Sequence, residues 1–301
     1  MAHYDFLVLG GGSAGFNAAR VARDFCERVA IVDGARELGG LCILRGCMPS
    51  KTLLYSAEVL HLAQHGAQFG LQIADARPDM AALHARKLKV IGEFAAYREQ
   101  AMTSGKYAVH RAAAHFVDPH TVALDNGETL TANRIMVATG SRVSWPAVPG
   151  LAESKPWTSD DVLELDSLPQ SVIVLGGGVV ACELAQFLRR IGAAVTQIQR
   201  SPRVLKDFSP DASAVIGRAF TDGGIELLTD TQLLGVERTE REFTVTFRHE
   251  GQVVARHARH LLNALGREPD TAALALAAAR IATGASGHIR VNEWQQTSQP
   301  H

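Results

Sequence analysis

The sequence predicts an α/β fold built from two copies of one βαβ design, the second nested inside the first, with a β-rich portion after the second copy. Two observations carry this reading. Short apolar runs end in glycine triplets twice, at residues 5–12 and 171–178, and each triplet opens a helix-like stretch followed by another apolar strand. Residues 107–139 and 226–254 hold short strands separated by turns, with Asp125-Asn126-Gly127 as a hairpin signal and Phe243-Thr244-Val245-Thr246-Phe247 in strict alternation.

The first unit begins with a strand at 5–10 and passes through Gly10-Gly11-Gly12-Ser13-Ala14-Gly15. A helix then reaches Cys26, and a strand at 29–32 is closed by Asp33. Glycines in this order permit a tight turn and close approach to a pyrophosphate, which the helix N-terminus faces. Asp33 stands 18 residues after Gly15, the place for a carboxylate that accepts a ribose hydroxyl. A glycine pattern alone also fits a plain tight turn, but strand, glycines, helix, strand and acid in succession point to a dinucleotide site.

The next segment is Gly39-Gly40-Leu41-Cys42-Ile43-Leu44-Arg45-Gly46-Cys47-Met48-Pro49-Ser50-Lys51. In a regular helix, residues five apart are separated by at least ~7.5 Å, beyond the roughly 7 Å that a disulfide tolerates. Bonding between Cys42 and Cys47 therefore requires Cys42 on irregular backbone leading into a helix, which Gly39, Gly40 and Gly46 allow and Pro49 in a first turn suits. The alternative is two unrelated packed thiols. Lys51 alone reads as an exposed helix lysine, and Cys26 and Cys182 as packed small side chains.

The second unit has a strand at 171–175, then Gly176-Gly177-Gly178-Val179-Val180-Ala181-Cys182-Glu183, a helix to about Gly192 and a strand at 194–198. Ala181 takes the third glycine position, an accepted variant. The strand ends at Gln199 rather than at an acid, and Arg200, Arg203 and Lys206 follow. Cations there attract a 2′-phosphate that a carboxylate would repel, so the pattern favours NADPH over NADH. The same residues would also fit a solvated basic turn.

Two nucleotide sites and a cysteine pair need a two-electron carrier between nicotinamide and sulfur, and a flavin fits. With these motifs together, the chain resembles the class I pyridine nucleotide-disulfide oxidoreductases, the family of glutathione reductase, dihydrolipoamide dehydrogenase and mercuric reductase. Three further segments carry the likeness: Val137-Ala138-Thr139-Gly140-Ser141, Thr158-Ser159-Asp160, and residues 263–270, where Asp270 replaces the usual Asn. The resemblance implies FAD as prosthetic group and a Cys42–Cys47 disulfide, with Cys47 facing the flavin and Cys42 meeting substrate. It also implies that Lys51 pairs with Glu183 near the flavin. The cofactor-binding positions it implies are Gly10, Gly12, Ser13, Ala14, Gly15, Asp33, Gly40, Lys51, Ala114, Thr139 and Gly140, then Gly176, Gly178, Val179, Val180, Glu183, Arg200, Lys206 and Gly266. No residue is assigned to a metal.

Many family members carry an aromatic lid where Val179 stands, and the run 179–186 is similar to the mercuric reductase branch. That branch's paired C-terminal cysteines and metal-capturing N-terminal domain have no counterpart here, so mercury reduction gains no support. Residues 289–301 resemble the segment that in the family runs into a Gly-Asp strand and then an interface domain bearing a His-Pro pair. None of the twelve histidines precedes a proline. The expectation is an FAD-binding domain at 1–147 and 266–301, incomplete at its C-terminal end, an NAD(P)-binding domain at 148–265, and a missing C-terminal interface domain. A non-catalytic nucleotide-binding fragment is the alternative to an enzyme.

Composition agrees with a folded two-domain chain: 47% hydrophobic, 20% charged, with a formal net charge of −1 that gives no reason to expect nucleic acid or an acidic membrane as partner. The first strand starts by residue 5, leaving no room for a signal peptide, and the Ala-rich stretch 271–282 is too short to span a bilayer. Four cysteines in such a chain suggest a reducing compartment. The expected setting is the cytoplasm, with a small-molecule or protein disulfide as substrate and a homodimer as the full-length form.

Overall fold

A computed structural model describes residues 1–301. In chain order the first elements are β1 (Ala2–Leu9), α1 (Ser13–Ala22), β2 (Val29–Val32), α2 (Gly40–Arg45), α3 (Cys47–Gln64), α4 (Met80–Met102), β3 (Ala108–His110), β4 (Ala114–Asp118), β5 (Thr121–Leu124), β6 (Thr129–Val137) and β7 (Ser141–Val143). They are followed by α5 (Ser159–Leu163), β8 (Ser171–Leu175), α6 (Val179–Ile191), β9 (Ala194–Ile198), α7 (Pro210–Asp222), β10 (Glu226–Leu228), β11 (Gln232–Arg238), β12 (Phe243–His249), β13 (Gln252–Ala258), β14 (His260–Asn263) and β15 (Arg267–Pro269). Two compact units result: Met1–Cys47 with Ile91–Arg142 and Arg267–His301, and Met48–Val90 with Val143–Gly266.

The first unit is a six-stranded sheet in the order β3-β2-β1-β6-β5-β4. β1 pairs in parallel with β2 (Phe6 opposite Val29) and with β6, whereas β5 runs antiparallel to both β6 and β4. Side chains alternate across a strand, and the core follows that rule. Val8, Val29 and Ile31 pack with Phe16, Ala19 and Met102, while Leu7, Leu9, Ala30 and Val32 pack with Phe116, Val122 and Leu130. Burial on both sides explains why the parallel strands read as unbroken apolar runs.

The second unit has an all-parallel sheet, β10-β9-β8-β14, and a separate antiparallel sheet, β11-β12-β13. Val172, Val174 and Val195 face α6 through Leu184, Phe187 and Leu188. Ile173, Leu175 and Ile198 face Phe243, Val245 and Phe247 of the antiparallel sheet. Helix α6 ends at Gly192 in the left-handed region, φ 113°, as a glycine C-cap does. Strands β7 and β15 pair with each other.

Three expectations change. The first helix stops at Ala22, and Cys26 lies beyond it in a turn whose N–H reaches Ala22 O. Residues Met48–Val90 group with the second unit rather than with residues 1–47, because Leu53, Ala57 and Met80 are buried against the α6 side of its sheet. Cys42 lies inside the short helix α2, and the irregular backbone falls at Gly46 instead. No helix is long and apolar enough to cross a membrane.

Candidate functional site

In the first unit, β1 delivers the chain into Gly10, whose φ of 105° only glycine adopts readily. A Cβ on Gly15 would lie 1.9 Å from Gly10 O, so the loop and the first turn of α1 close on each other only without a side chain. Helix α1 is capped by Gly12 with no side-chain hydrogen bond and has no acid in its first turn. The N–H groups around Ser13 and Ala14 therefore form an uncapped positive end. Asp33 closes β2, and its carboxylate accepts the Gly11 N–H and the Ala35 N–H, each at 2.9 Å. Each oxygen keeps a further lone pair for a ligand hydroxyl. Thr139 and Gly140 follow β6 directly after Ala138, whose carbonyl lies against Gly10. Ala114 opens β4 next to Ala113, which abuts Gly34.

The cysteine segment is built onto this loop. Gly40, at φ 71°, starts α2, and a Cβ there would meet the Gly12 Cα at 2.4 Å. The two helix starts thus stand backbone to backbone. Gly46 then breaks the chain between α2 and α3, approaching so closely that a Cβ on it would lie 2.9 Å from Leu41 O and 3.3 Å from the Cys42 Cα. Helix α3 starts at the next residue, Cys47, so the break at Gly46 is the only backbone between the two cysteine-bearing helices. Both are thiols in the structure, Cys42 half-buried and Cys47 exposed. Lys51 lies four residues after Cys47 on α3, hence on the same face. In the second unit its Nζ lies 2.7 Å from Glu183 Oε1 on α6.

The second loop opens a cleft of about 610 Å³ that gathers Gly176, Gly178, Val179, Arg200, Lys206 and Gly266. Val180 and Glu183 lie on α6 outside its lining. Gly178 caps α6 without a side-chain hydrogen bond, and a Cβ on it would touch nothing within 4 Å. The space before this helix start suits a phosphate group. Residues of both glycine loops therefore fit dinucleotides: uncapped helix starts, close backbone approach and an acid or cations at the strand end.

Three groups support the second loop; Cys182 reads from sequence as a packed side chain, whereas Gln197 and Leu205 are not singled out there. Gln197, fully buried, donates its Nε2 to Gly176 O at 2.9 Å and holds the turn from beneath. Cys182 is sealed under the same loop, its Sγ 3.7 Å from Gly177 O. Burial pushes the Cys182 thiol up to about 11, which makes it an inert packing group. The Leu205 N–H reaches Gly177 O at 2.6 Å and ties the basic turn to the glycines. In the first unit, Arg98 stacks on Phe16 at 4.3 Å with its Nε and Nη1 buried and unpartnered. Burial lowers its pKa, partly offset by Cys42 and Tyr97. The two-residue period of β9 hinted at Gln197 and the Cys182 contact is local, whereas the Leu205 and Arg98 contacts depend on segments farther along the chain.

The fold and these loops define an α/β protein with two dinucleotide-binding units and a thiol pair set against the first. Residues 4–301 match the family model described as pyridine nucleotide-disulphide oxidoreductase, and the chain belongs to that family. It is 34% identical over 296 residues to a mercuric reductase of Staphylococcus aureus, covering 98% of this chain and 54% of that protein. Identity to a dihydrolipoyl dehydrogenase of Bacillus subtilis is 32%, over 99% of this chain and 65% of the relative. Identity to a glutathione reductase of Burkholderia cepacia is 31%, with the same two coverages. Among solved structures, the HOCl-induced flavoprotein disulfide reductase RclA of Escherichia coli matches with a TM-score of 0.83 at 24% identity, over 98% of this chain and 64% of that one, a likeness of fold. The chain spans about half to two thirds of the length of these curated relatives.

Proposed function

We propose that this chain carries the electron-transfer part of an FAD-dependent reductase that takes electrons from NADPH and passes them, through a Cys42–Cys47 disulfide, to a disulfide or similar electrophile. The observation that carries the reading is the contact of Gly40 with Gly12, which joins the cysteine helix to the nucleotide loop. In this reading FAD lies on the Gly10–Gly15 loop of the first unit and NADPH on the Gly176–Gly178 loop of the second. The complete protein works in the cytoplasm as a homodimer on small-molecule or protein disulfides.

FAD, when bound, supplies the two-electron relay between nicotinamide and sulfur. The chain's own residues do the rest. The N–H groups that follow Gly12 and Gly178 face pyrophosphate, and Asp33 accepts a ribose hydroxyl. Arg200 and Lys206 hold the 2′-phosphate, each charge-assisted contact contributing about 1.5–3 kcal/mol. Lys51, steadied by Glu183, keeps a positive charge on the face of α3 that Cys47 occupies, so that it stabilises negative charge on that sulfur. One NADPH brings two electrons, the number that opens one disulfide, and Cys42 is the sulfur that leaves to meet substrate.

The test is optical. In FAD-loaded protein, two-electron reduction should give a long-wavelength charge-transfer band that Cys47→Ser abolishes and Cys42→Ser retains. Survival of the band in Cys47→Ser would overturn the assignment of the two sulfurs.

A further inference from the structure

The second unit holds another cleft, about 400 Å³, that shares no lining residue with the one at Gly176–Gly178. Its size falls in the roughly 300–1,000 Å³ range of small-molecule sites. Four cations reach it from four segments: Lys155 in the connection before α5, Arg238 at the end of β11, Arg241 in the turn before β12, and Arg259 between β13 and β14. None of the four forms an ion pair, although Glu240 and Glu242 line the same cleft and Glu242 approaches only His257, at 3.7 Å. Both central arginines are instead steadied by groups that cancel no charge. Arg238 donates to Ser154 O at 2.9 Å and lies 5.0 Å from the Phe243 ring centre, and Arg259 donates to Arg241 O at 2.8 Å.

An aromatic pair forms another part of the wall. The rings of Trp157 and His260 stack at 3.8 Å and 13°. Burial holds the His260 imidazole below its ordinary range, and the charges of Arg259 and Arg238 push it the same way. Four cations against two carboxylates describe a pocket with a positive field and guanidinium forks held by hydrogen bonds. Such forks match the oxygens of a phosphate.

We propose that this cleft is a second anion site, taking a phosphate dianion, free or as the sugar monoester of a molecule that also carries a planar ring. Arg238 and Arg259 hold the oxygens, and the Trp157–His260 pair lies beside the ring. It is independent of the nucleotide cleft and of any redox activity.

Titration with AMP, inorganic phosphate and adenosine tests it in full-length protein carrying Trp145→Phe and Trp294→Phe, which leave Trp157 as the single fluorescent reporter among three tryptophans. AMP should quench Trp157 and raise the pKa of His260 in proton NMR, since a nearby dianion favours the imidazolium. Arg238→Gln and Arg259→Gln should each weaken this at least tenfold, whereas Arg200→Gln should leave it unchanged. Lys155→Gln and Arg241→Gln remove charge without removing a side-chain hydrogen bond, so their several-fold weakening holds even where an arginine variant folds poorly. Equal affinity for phosphate and AMP identifies free phosphate as the ligand; AMP at least tenfold tighter identifies a monoester. Absence of any response to either probe, or a response that these variants do not diminish, overturns the proposal.

Discussion

The two glycine loops share a backbone and differ in the side chain that closes them. At the end of β2, Asp33 spends one lone pair of each oxygen on Gly11 and Ala35. At the end of β9, Gln199 occupies the corresponding place, its carbons so close to Gly177 that a Cβ there would fall 2.6 Å away. Its Oε1 accepts the Arg200 N–H at 3.0 Å and its Nε2 reaches Arg203 O at 3.4 Å. Strand–helix packing fixes the turn in both cases, while the residue after the strand sets the local charge. One βαβ design can therefore be copied within a chain and turned to a different nucleotide by changing one strand-end residue and the turn behind it.

A second difference gives the sharpest way to break the comparison. The first loop has Gly15 where the second has the fully buried Ala181. If the loops were interchangeable, Gly15→Ala would be harmless. With a Cβ 1.9 Å from Gly10 O and 2.8 Å from Val8 Cγ1, it should cost on the order of 3 kcal/mol or more, read as a large fall in Tm and loss of flavin retention. The reverse change, Ala181→Gly, should cost only about 0.5–1 kcal/mol.

Charge at the strand end comes next. Arg200→Glu should weaken NADPH about 10–100-fold in equilibrium titrations while changing NADH little, a change worth about 1.4 kcal/mol per tenfold. Equal affinity of the unmodified protein for both nucleotides would remove Arg200 from the recognition of the 2′-phosphate.

Support away from the loops can be tested at Lys87, which is 2% exposed and lies 2.7 Å from Glu164. His84 bonds the same carboxylate at 3.0 Å. Burial raises the Glu164 carboxyl, but the hydrogen bonds and charges of Lys87 and His84 outweigh it and hold the pKa low. A depressed folded pKa means that this stabilisation is complete above the ordinary carboxylate range and is lost as pH falls through the folded value. Because the Glu164 side chain is 56% exposed, solvent screening limits the loss in Glu164→Gln to about 1 kcal/mol near neutrality, with a flattened acid limb of the Tm–pH profile. The smallest effect is expected at Lys51→Ala. Its ion pair with Glu183 is largely solvent-exposed and should contribute under about 1 kcal/mol to stability, read as a small fall in Tm, yet the charge-transfer band should weaken.

Much of this was legible in the sequence because the physics is local. Four-residue apolar runs with both faces buried, glycines before helices and Asp33 against Gln199 all act within a few residues. The cysteine spacing announced a kink but not its place, because whether Cys42 or Gly46 bends depends on the Gly12 surface behind α2. Allocation of residues 48–90 was not legible either, since Leu53 and Ala57 join a buried cluster with residues more than a hundred positions away, Leu184 and Phe187 among them. The Trp157 cleft likewise draws its cations from segments that show no shared pattern in sequence.

Leu205 holds a left-handed backbone, φ 51°, that costs a non-glycine residue roughly 1–2 kcal/mol. Its N–H is anchored on Gly177 at 2.6 Å, so the turn bearing Lys206 is already shaped during folding. Ordering a flexible side chain at the moment of binding costs about 0.5–1.5 kcal/mol apiece. Under the proposed function, the strained leucine settles that conformational entropy in advance of nucleotide binding. A turn shaped in this way leaves a ligand of the cleft little backbone to order.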